Sequence, residues 1–180
     1  MSKVYTSAVV IIPPKENWKP IQKIRQKYDR NIDRWMPHIT LFYPFRPRSY
    51  YSRIEKKFSE KCYQINSFKL SLNRFKFFNH GHQNYTIWLD PKPCEPIITL
   101  QAELLKIVPD CNDVNKYKKG FTPHLSVGQI KGKETLYKVV KELQPSWENL
   151  EFDVKEIFFI AREKSKKSKF DIEKQFLLLK

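Results

Sequence analysis

Glycine is scarce in this chain, with four in 180 residues, and the scarcity narrows the nucleotide chemistry open to it. One stretch comes near a phosphate loop, GQIKGKET at 128–135. Its glycines stand one residue too close and Glu134 takes the place of the required Ser or Thr, so ATP binding there is not expected. Cysteine is equally thin: Cys62, Cys94 and Cys111 are odd in number, scattered, and in no C-x-x-C pair. That argues against a disulfide framework and a cysteine zinc site and favours a reducing compartment. Long apolar runs are missing too. The run that starts at Val4 ends at Pro13 and Pro14, too short for a signal peptide or a bilayer span. The expectation is a soluble monomer with no membrane partner, cytoplasmic, or nuclear if its source is eukaryotic. Acidic residues are few, 19 against 34 Lys and Arg, for a formal charge of +15. A field of that sign attracts polyanions, above all nucleic acid.

What the sequence does hold is apolar and aromatic: 41% hydrophobic and 14% aromatic, the composition of a packed globule. At this length one domain, 1–180, is expected. Val4 to Ile12 reads as a buried strand. Pro20 opens a helix with Ile21, Ile24 and Tyr28 on one face, and His38 to Phe45 reads as a strand. Tyr51, Ile54, Phe58 and Cys62 step by three and four as a second helix, and Phe68 to Phe78 is a strand. The order then begins again after the turn NHGHQN: a strand from Tyr85, a helix from Pro96, a strand from His124 to Ile130, a helix through Leu136 and Leu143, and a long strand from Phe152 to Ala161. The chain therefore reads as two copies of one unit, lobes at roughly 4–79 and 84–163, followed by a strand at 170–179 after the basic loop REKSKKSK.

The copies share a motif. WMPHIT at 35–40 and FTPHLS at 121–126 both read aromatic, any residue, Pro, His, aliphatic, hydroxyl, with the histidines 86 positions apart (124 minus 38). Side chains alternate along a strand, so His38, Thr40 and Phe42 share one face and His124 and Ser126 share the matching one. If an approximate two-fold axis relates the lobes, two imidazoles and two hydroxyls meet in a cleft. That set suits phosphodiester cleavage without a metal: one neutral imidazole takes a proton, one protonated imidazole gives one, and the hydroxyls donate to the phosphate oxygens. Near two-fold symmetry leaves open which histidine is the acid. His80 and His82 flank Gly81 in H-x-H, but nothing nearby completes a metal site, so no metal and no cofactor are expected.

The pair His38-Ile39-Thr40 and His124-Leu125-Ser126, each behind a Pro and an aromatic, resembles the 2H phosphoesterase superfamily. Its members include the so-called 2′-5′ RNA ligases, RNA 2′,3′-cyclic phosphodiesterases and 2′,5′-oligoadenylate phosphodiesterases. The resemblance covers nearly the whole chain. It implies an α+β bilobal fold, two antiparallel sheets flanking a central cleft, with His38 and His124 as acid and base and Thr40 and Ser126 binding phosphate. Family enzymes need neither metal nor ATP for hydrolysis. Members close to the bacterial cyclic phosphodiesterases often place an Arg a few residues after the second motif, where this chain has Gln129.

The expected function is hydrolysis of a 2′,3′-cyclic phosphate at RNA ends or in short nucleotides. The alternatives are cleavage or ligation of 2′-5′ linkages at the same site, or a module that binds RNA ends without turnover. Phe42, Phe121 and Trp35 are candidates to stack on a base. Arg46 and Lys131, with Arg48 and Lys119 beside them, are candidates to meet backbone phosphates.

Overall fold

The computed structural model describes residues 2–116, 120–165 and 167–180. Twelve regular elements carry the fold: β1 (Ser7–Ile11), α1 (Trp18–Tyr28), β2 (Ile39–Phe42), α2 (Tyr51–Cys62), β3 (Phe68–Asn79), β4 (Asn84–Lys92), α3 (Glu95–Leu105), β5 (Leu125–Lys131), α4 (Lys133–Ser146), β6 (Leu150–Val154), β7 (Glu156–Ala161) and β8 (Asp171–Leu177). The strands form one curled antiparallel sheet in the order β6-β3-β4-β5-β2-β1-β7-β8. Where two sheets were expected, hydrogen bonding runs continuously through the middle, at the pair Ile39–Leu125 between β2 and β5.

The helices cover one face. Ile21 and Ile24 of α1, Ile54 and Phe58 of α2, Leu100 and Leu104 of α3, and Leu136 and Val139 of α4 join Val9, Ile11, Ile39, Leu41, Leu125 and Val127 in the main core. Phe58, fully buried, meets the rings of Phe45, Phe159 and Phe176; cutting it to Ala costs about 3–5 kcal/mol. The opposite face has a smaller cluster of Ala8, Val10, Phe158, Ile160 and Phe170, flanked by Trp35, Met36 and Tyr43. The alternation of β1, whose five residues are all buried, divides it between the two clusters.

The long strand expected from Phe152 to Ala161 is broken at Lys155. The first part, β6, pairs among the described strands only with β3 and alternates buried with exposed, as an edge strand does. The second, β7, lies between β1 and β8 and is almost wholly buried. In consequence β3 pairs with β4, while β7 pairs with β1.

Each motif strand carries one extra residue directly after its hydroxyl. Val10 pairs with Thr40 but Val9 pairs with Phe42; Trp88 pairs with Ser126 but Ile87 pairs with Gly128. A bulge of this kind inverts the alternation beyond it. Leu41 and Phe42 therefore both enter the core, and Gly128 turns toward α1. A Cβ on Gly128 would stand 2.5 Å from the Tyr28 Cβ, so the missing side chain is what lets the end of α1 rest on β5.

Candidate active site

The antiparallel register that sets Ile39 opposite Leu125 puts His38 level with Ser126 and Thr40 level with His124. Ile39 and Leu125 are fully buried on the core face, while all four motif residues are half-buried on the other. His38 and His124 are then diagonal neighbours, roughly 7–8 Å apart by ordinary strand geometry with their Cβ atoms somewhat closer. That spacing leaves room for one phosphate between two imidazoles.

Each imidazole is held by the same backbone device. His38 Nδ1 lies 2.7 Å from the Met36 carbonyl, and His124 Nδ1 lies 2.8 Å from the Thr122 carbonyl. Each acceptor is two residues upstream, across the motif's proline. A carbonyl can only accept, so Nδ1 carries the hydrogen in both rings and Nε2 is the nitrogen without it in the neutral ring.

The surroundings differ. His38 stacks on Trp35, with centroids 4.7 Å apart and planes 18° apart. Burial is the main cause that lowers its pKa, to about 4; the Met36 carbonyl opposes this, and Arg25 and His124 add to it. His124 is met edge-on by Phe78 at 4.9 Å and by Trp88 at 5.8 Å. Its pKa is also lowered, first by burial, against the Thr122 carbonyl and with a smaller push from His80. Both shifts favour the neutral imidazole, whereas an anion placed between the rings would favour the protonated form of one of them.

A buried network, not read from the sequence, carries the loop that leads into His38. Arg25 Nε donates to Asp29 Oδ2 at 2.8 Å, the two side chains 2% and 4% exposed. Arg25 Nη2 donates to the Trp35 carbonyl at 2.9 Å, one residue before the carbonyl that holds His38. Gln129, from the second motif's strand, donates to Asp29 Oδ1 and accepts from the Arg30 backbone, both at 3.2 Å. Gln129, the departure from the resembled pattern noted in the sequence, is thus a neutral connector between β5 and the turn after α1, and that departure was the one visible signal of this network.

Of the expected substrate-binding residues, two are corrected. Phe42 is fully buried in the main core, 6.1 Å from Phe45, because the bulge after Thr40 turns it inward; Tyr43 takes the cleft-side place beside Trp35 at 5.3 Å. Arg46 is 6% exposed and paired with Asp110, so it fastens the fold. Trp35 is half-buried with its ring against His38 and against Phe170 at 3.7 Å, and Phe121 is half-buried against the main core. Lys131 is exposed at the end of β5, five residues past Ser126, roughly 17 Å along a strand. Arg48 pairs with Glu163 and Glu173, and Lys119 lies outside the described residues. His80 donates to or accepts from Thr86 Oγ1 at 2.9 Å. Among the described residues, no helix is long and apolar enough to cross a membrane.

The model of the family described as the 2′-5′ RNA ligase superfamily matches residues 13–166. The fold is similar to that of LigT from E. coli, solved with 3′-AMP, at a TM-score of 0.63 and 16% identity over 99% of this chain and 100% of that one. It is also similar to TT0787 from Thermus thermophilus, at a TM-score of 0.62 and 15% identity over 96% and 97%. A protein described as a phosphoesterase gives a TM-score of 0.60 and 16% identity over 97% and 98%. No curated protein matches the sequence.

Proposed function

Because the chain belongs to the 2′-5′ RNA ligase superfamily, the 2H phosphoesterases, we propose that it is a metal-independent phosphodiesterase that opens 2′,3′-cyclic phosphates at RNA ends or in short nucleotides. One observation carries this reading: two imidazoles on adjacent strands, each fixed through Nδ1 by its own motif's carbonyl, each with a hydroxyl level with it across the strand pair. Water attacks the phosphorus while one Nε2 takes its proton. The other ring, protonated once the anion is bound, gives its Nε2 proton to the ester oxygen that leaves. The ring of the cyclic phosphate opens to a phosphomonoester. Thr40 and Ser126 donate to the non-bridging oxygens as charge builds on them.

The family's own description favours one second reading, cleavage or formation of 2′-5′ linkages by the same four groups. LigT of E. coli has been solved with 3′-AMP, ATP and NADP+, which suits a nucleotide in the equivalent cleft here. We read 1–180 as one domain whose two runs of strand, helix, strand, helix, strand are copies of one unit. The support is the element order and the matched bulge after each hydroxyl. We place the activity in a reducing, cytoplasmic setting, which suits the free Cys62, Cys94 and Cys111.

The test is a panel of 2′,3′-cyclic nucleotides and 2′-5′ and 3′-5′ dinucleotides, with and without EDTA. Release of a phosphomonoester from the cyclic substrates, unchanged by EDTA, is expected. Turnover confined to 2′-5′ linkages selects the second reading. No turnover with retained binding makes the protein an RNA-end binding module, and activity lost on chelation and restored by zinc or manganese removes the two-imidazole mechanism.

A further inference from the structure

The basic loop REKSKKSK, residues 162–169, joins β7 to β8 and has no part in the chemistry proposed above. Lys164, Lys167 and Lys169 are exposed, and none of their ammonium groups has a hydrogen-bond or ion-pair partner among the described residues. Lys166 lies outside the described residues. A slack basic run would be a solvated tail, but this one is folded. Arg162 Nη1 lies 3.0 and 3.2 Å from the Glu163 and Ser165 carbonyls and 3.2 Å from the Ser168 hydroxyl, which is itself 2.5 and 2.7 Å from the same two carbonyls. Arg162 is thus the clamp of the loop, and the free charge belongs to the lysines. The loop's one acid, Glu163, is drawn off by Arg48, which also takes Glu173 of β8. Asp33 and Asp171 are exposed and pair with none of the three lysines.

The loop is also fastened to the cleft. Its first residue donates from the backbone to the Thr6 carbonyl at the start of β1, and Phe170, directly after Lys169, donates to the Arg34 carbonyl, both at 2.9 Å. Phe170 is buried and stacks on Trp35 at 3.7 Å, and Trp35 stacks on His38 at 4.7 Å. Two ring contacts therefore separate the imidazole from the residue that follows Lys169. The His124 side differs: the cation there, Lys76 over the Trp88 ring, is neutralised by Asp90 at 2.6 Å.

We infer that Lys164, Lys167 and Lys169 form a docking track for the backbone of single-stranded RNA, along which the strand leaves the cleft on the His38 side. With its terminal phosphate between the imidazoles, the phosphates before it run past Trp35 and Phe170 to the loop. A lysine ammonium is a mobile point charge without a rigid fork to match a base edge, so these contacts position the strand and read no sequence. The inference rests on the proposed function only in placing the terminal phosphate in the cleft. It makes an oligonucleotide end a better ligand than a free cyclic mononucleotide, which does not extend to the loop.

The test compares two triple variants that remove the same charge. One carries Lys164→Gln, Lys167→Gln and Lys169→Gln. The other carries Lys19→Gln, Lys23→Gln and Lys138→Gln, exposed positions of α1 and α4 in the helix layer on the opposite face of the sheet. A short single-stranded RNA ending in a 3′-phosphate is titrated against each over a salt series, and turnover of a 2′,3′-cyclic mononucleotide is measured in parallel. The loop variant should lose about 2 from the slope of log affinity against log salt, three phosphate contacts at about 0.7 each on a single strand, with the mononucleotide rate unchanged. The helix variant should keep the wild-type slope. An unaltered slope in the loop variant overturns the track. An equal drop in both variants overturns it too, since net charge alone then accounts for the affinity, as does a loss of mononucleotide turnover to the same degree as RNA binding. Vesicles of phosphatidylserine and phosphatidylcholine supply the other polyanion: vesicle binding lost in the loop variant with RNA binding intact assigns the loop to a membrane surface and overturns the track. A wild type that binds the RNA with the expected difference between variants but turns over nothing removes the catalytic reading and leaves the track standing.

Discussion

The two motif strands use one backbone device in two different settings. In both, a histidine follows a proline and gives its Nδ1 hydrogen to the carbonyl two residues upstream. An aliphatic residue enters the core, a hydroxyl returns to the cleft, and an extra residue follows. Beyond the strand the halves part company. His38 lies flat on Trp35, above a loop tied by the buried Arg25–Asp29 pair. His124 is gripped edge-on by Phe78 and Trp88, and its pKa is moved by burial, a carbonyl and His80. The backbone fixes which nitrogen carries the hydrogen, and the ring neighbours set how each imidazole titrates and what lies next to it.

The largest expected effect tests the shared half of this comparison. His38→Ala and His124→Ala should each lower kcat by about two to four orders of magnitude, with circular dichroism unchanged, and the double variant should be little worse than either single one. A substrate with a much better leaving group then separates the halves: it should rescue the acid's variant and not the base's. Near wild-type turnover in both single variants on every cyclic and 2′-5′ substrate breaks the comparison outright.

Next in size is a stability effect confined to the His38 side. Arg25→Ala leaves the Asp29 carboxylate buried without its cation, at a cost of about 3–5 kcal/mol in denaturant unfolding. A loss under about 1 kcal/mol would show that the network does not hold the loop. Smaller again are the hydroxyls. Thr40→Val and Ser126→Ala should each lower kcat by about tenfold to a thousandfold with KM little changed. A pure KM effect would make them ground-state binders.

The smallest effect concerns pH. Burial lowers both imidazoles, His38 to about 4, so the acid limb of kcat/KM should lie below the ordinary histidine value of about 6.5. A limb at about 6.5 would mean that water reaches both rings freely. The same shift bears on folding. A group whose charged form is disfavoured in the native state binds fewer protons there than when unfolded, so stability rises with pH between the two values. The contribution of a neutral His38 is complete above about 6.5 and is lost as pH falls toward about 4. His38→Gln should flatten that part of a denaturation series.

Much of this was legible in the sequence because it is local. The proline, histidine and hydroxyl stand within four positions of each other, and the helices declare themselves by apolar spacing: Tyr51, Ile54, Phe58 and Cys62 are the buried face of α2. What escaped is set by distant partners. Strand alternation placed Phe42 beside His38 and failed because a bulge is defined by the neighbouring strand, where Val9 and Val10 take one step against two. Arg46 looked like a phosphate ligand until Asp110, 64 positions away, closed on it. The break at Lys155 is marked by no Pro or Gly in FDVKEIFFIA; it is pairing with β3 on one side and β1 on the other that divides the strand.

Among the described strands, the two halves of the sheet meet between β2 and β5 at one registered pair, Ile39 with Leu125, and the four motif residues straddle it. Such a seam opens more readily than the long ladders on either side, and opening it draws His38 and Thr40 away from His124 and Ser126. Heat or mild denaturant is therefore expected to silence the proposed activity before it melts the protein. Activity fades while the far-ultraviolet signal still reads native, and the amides of Ile39 and Leu125 exchange with solvent hydrogen ahead of those in β3 and β4.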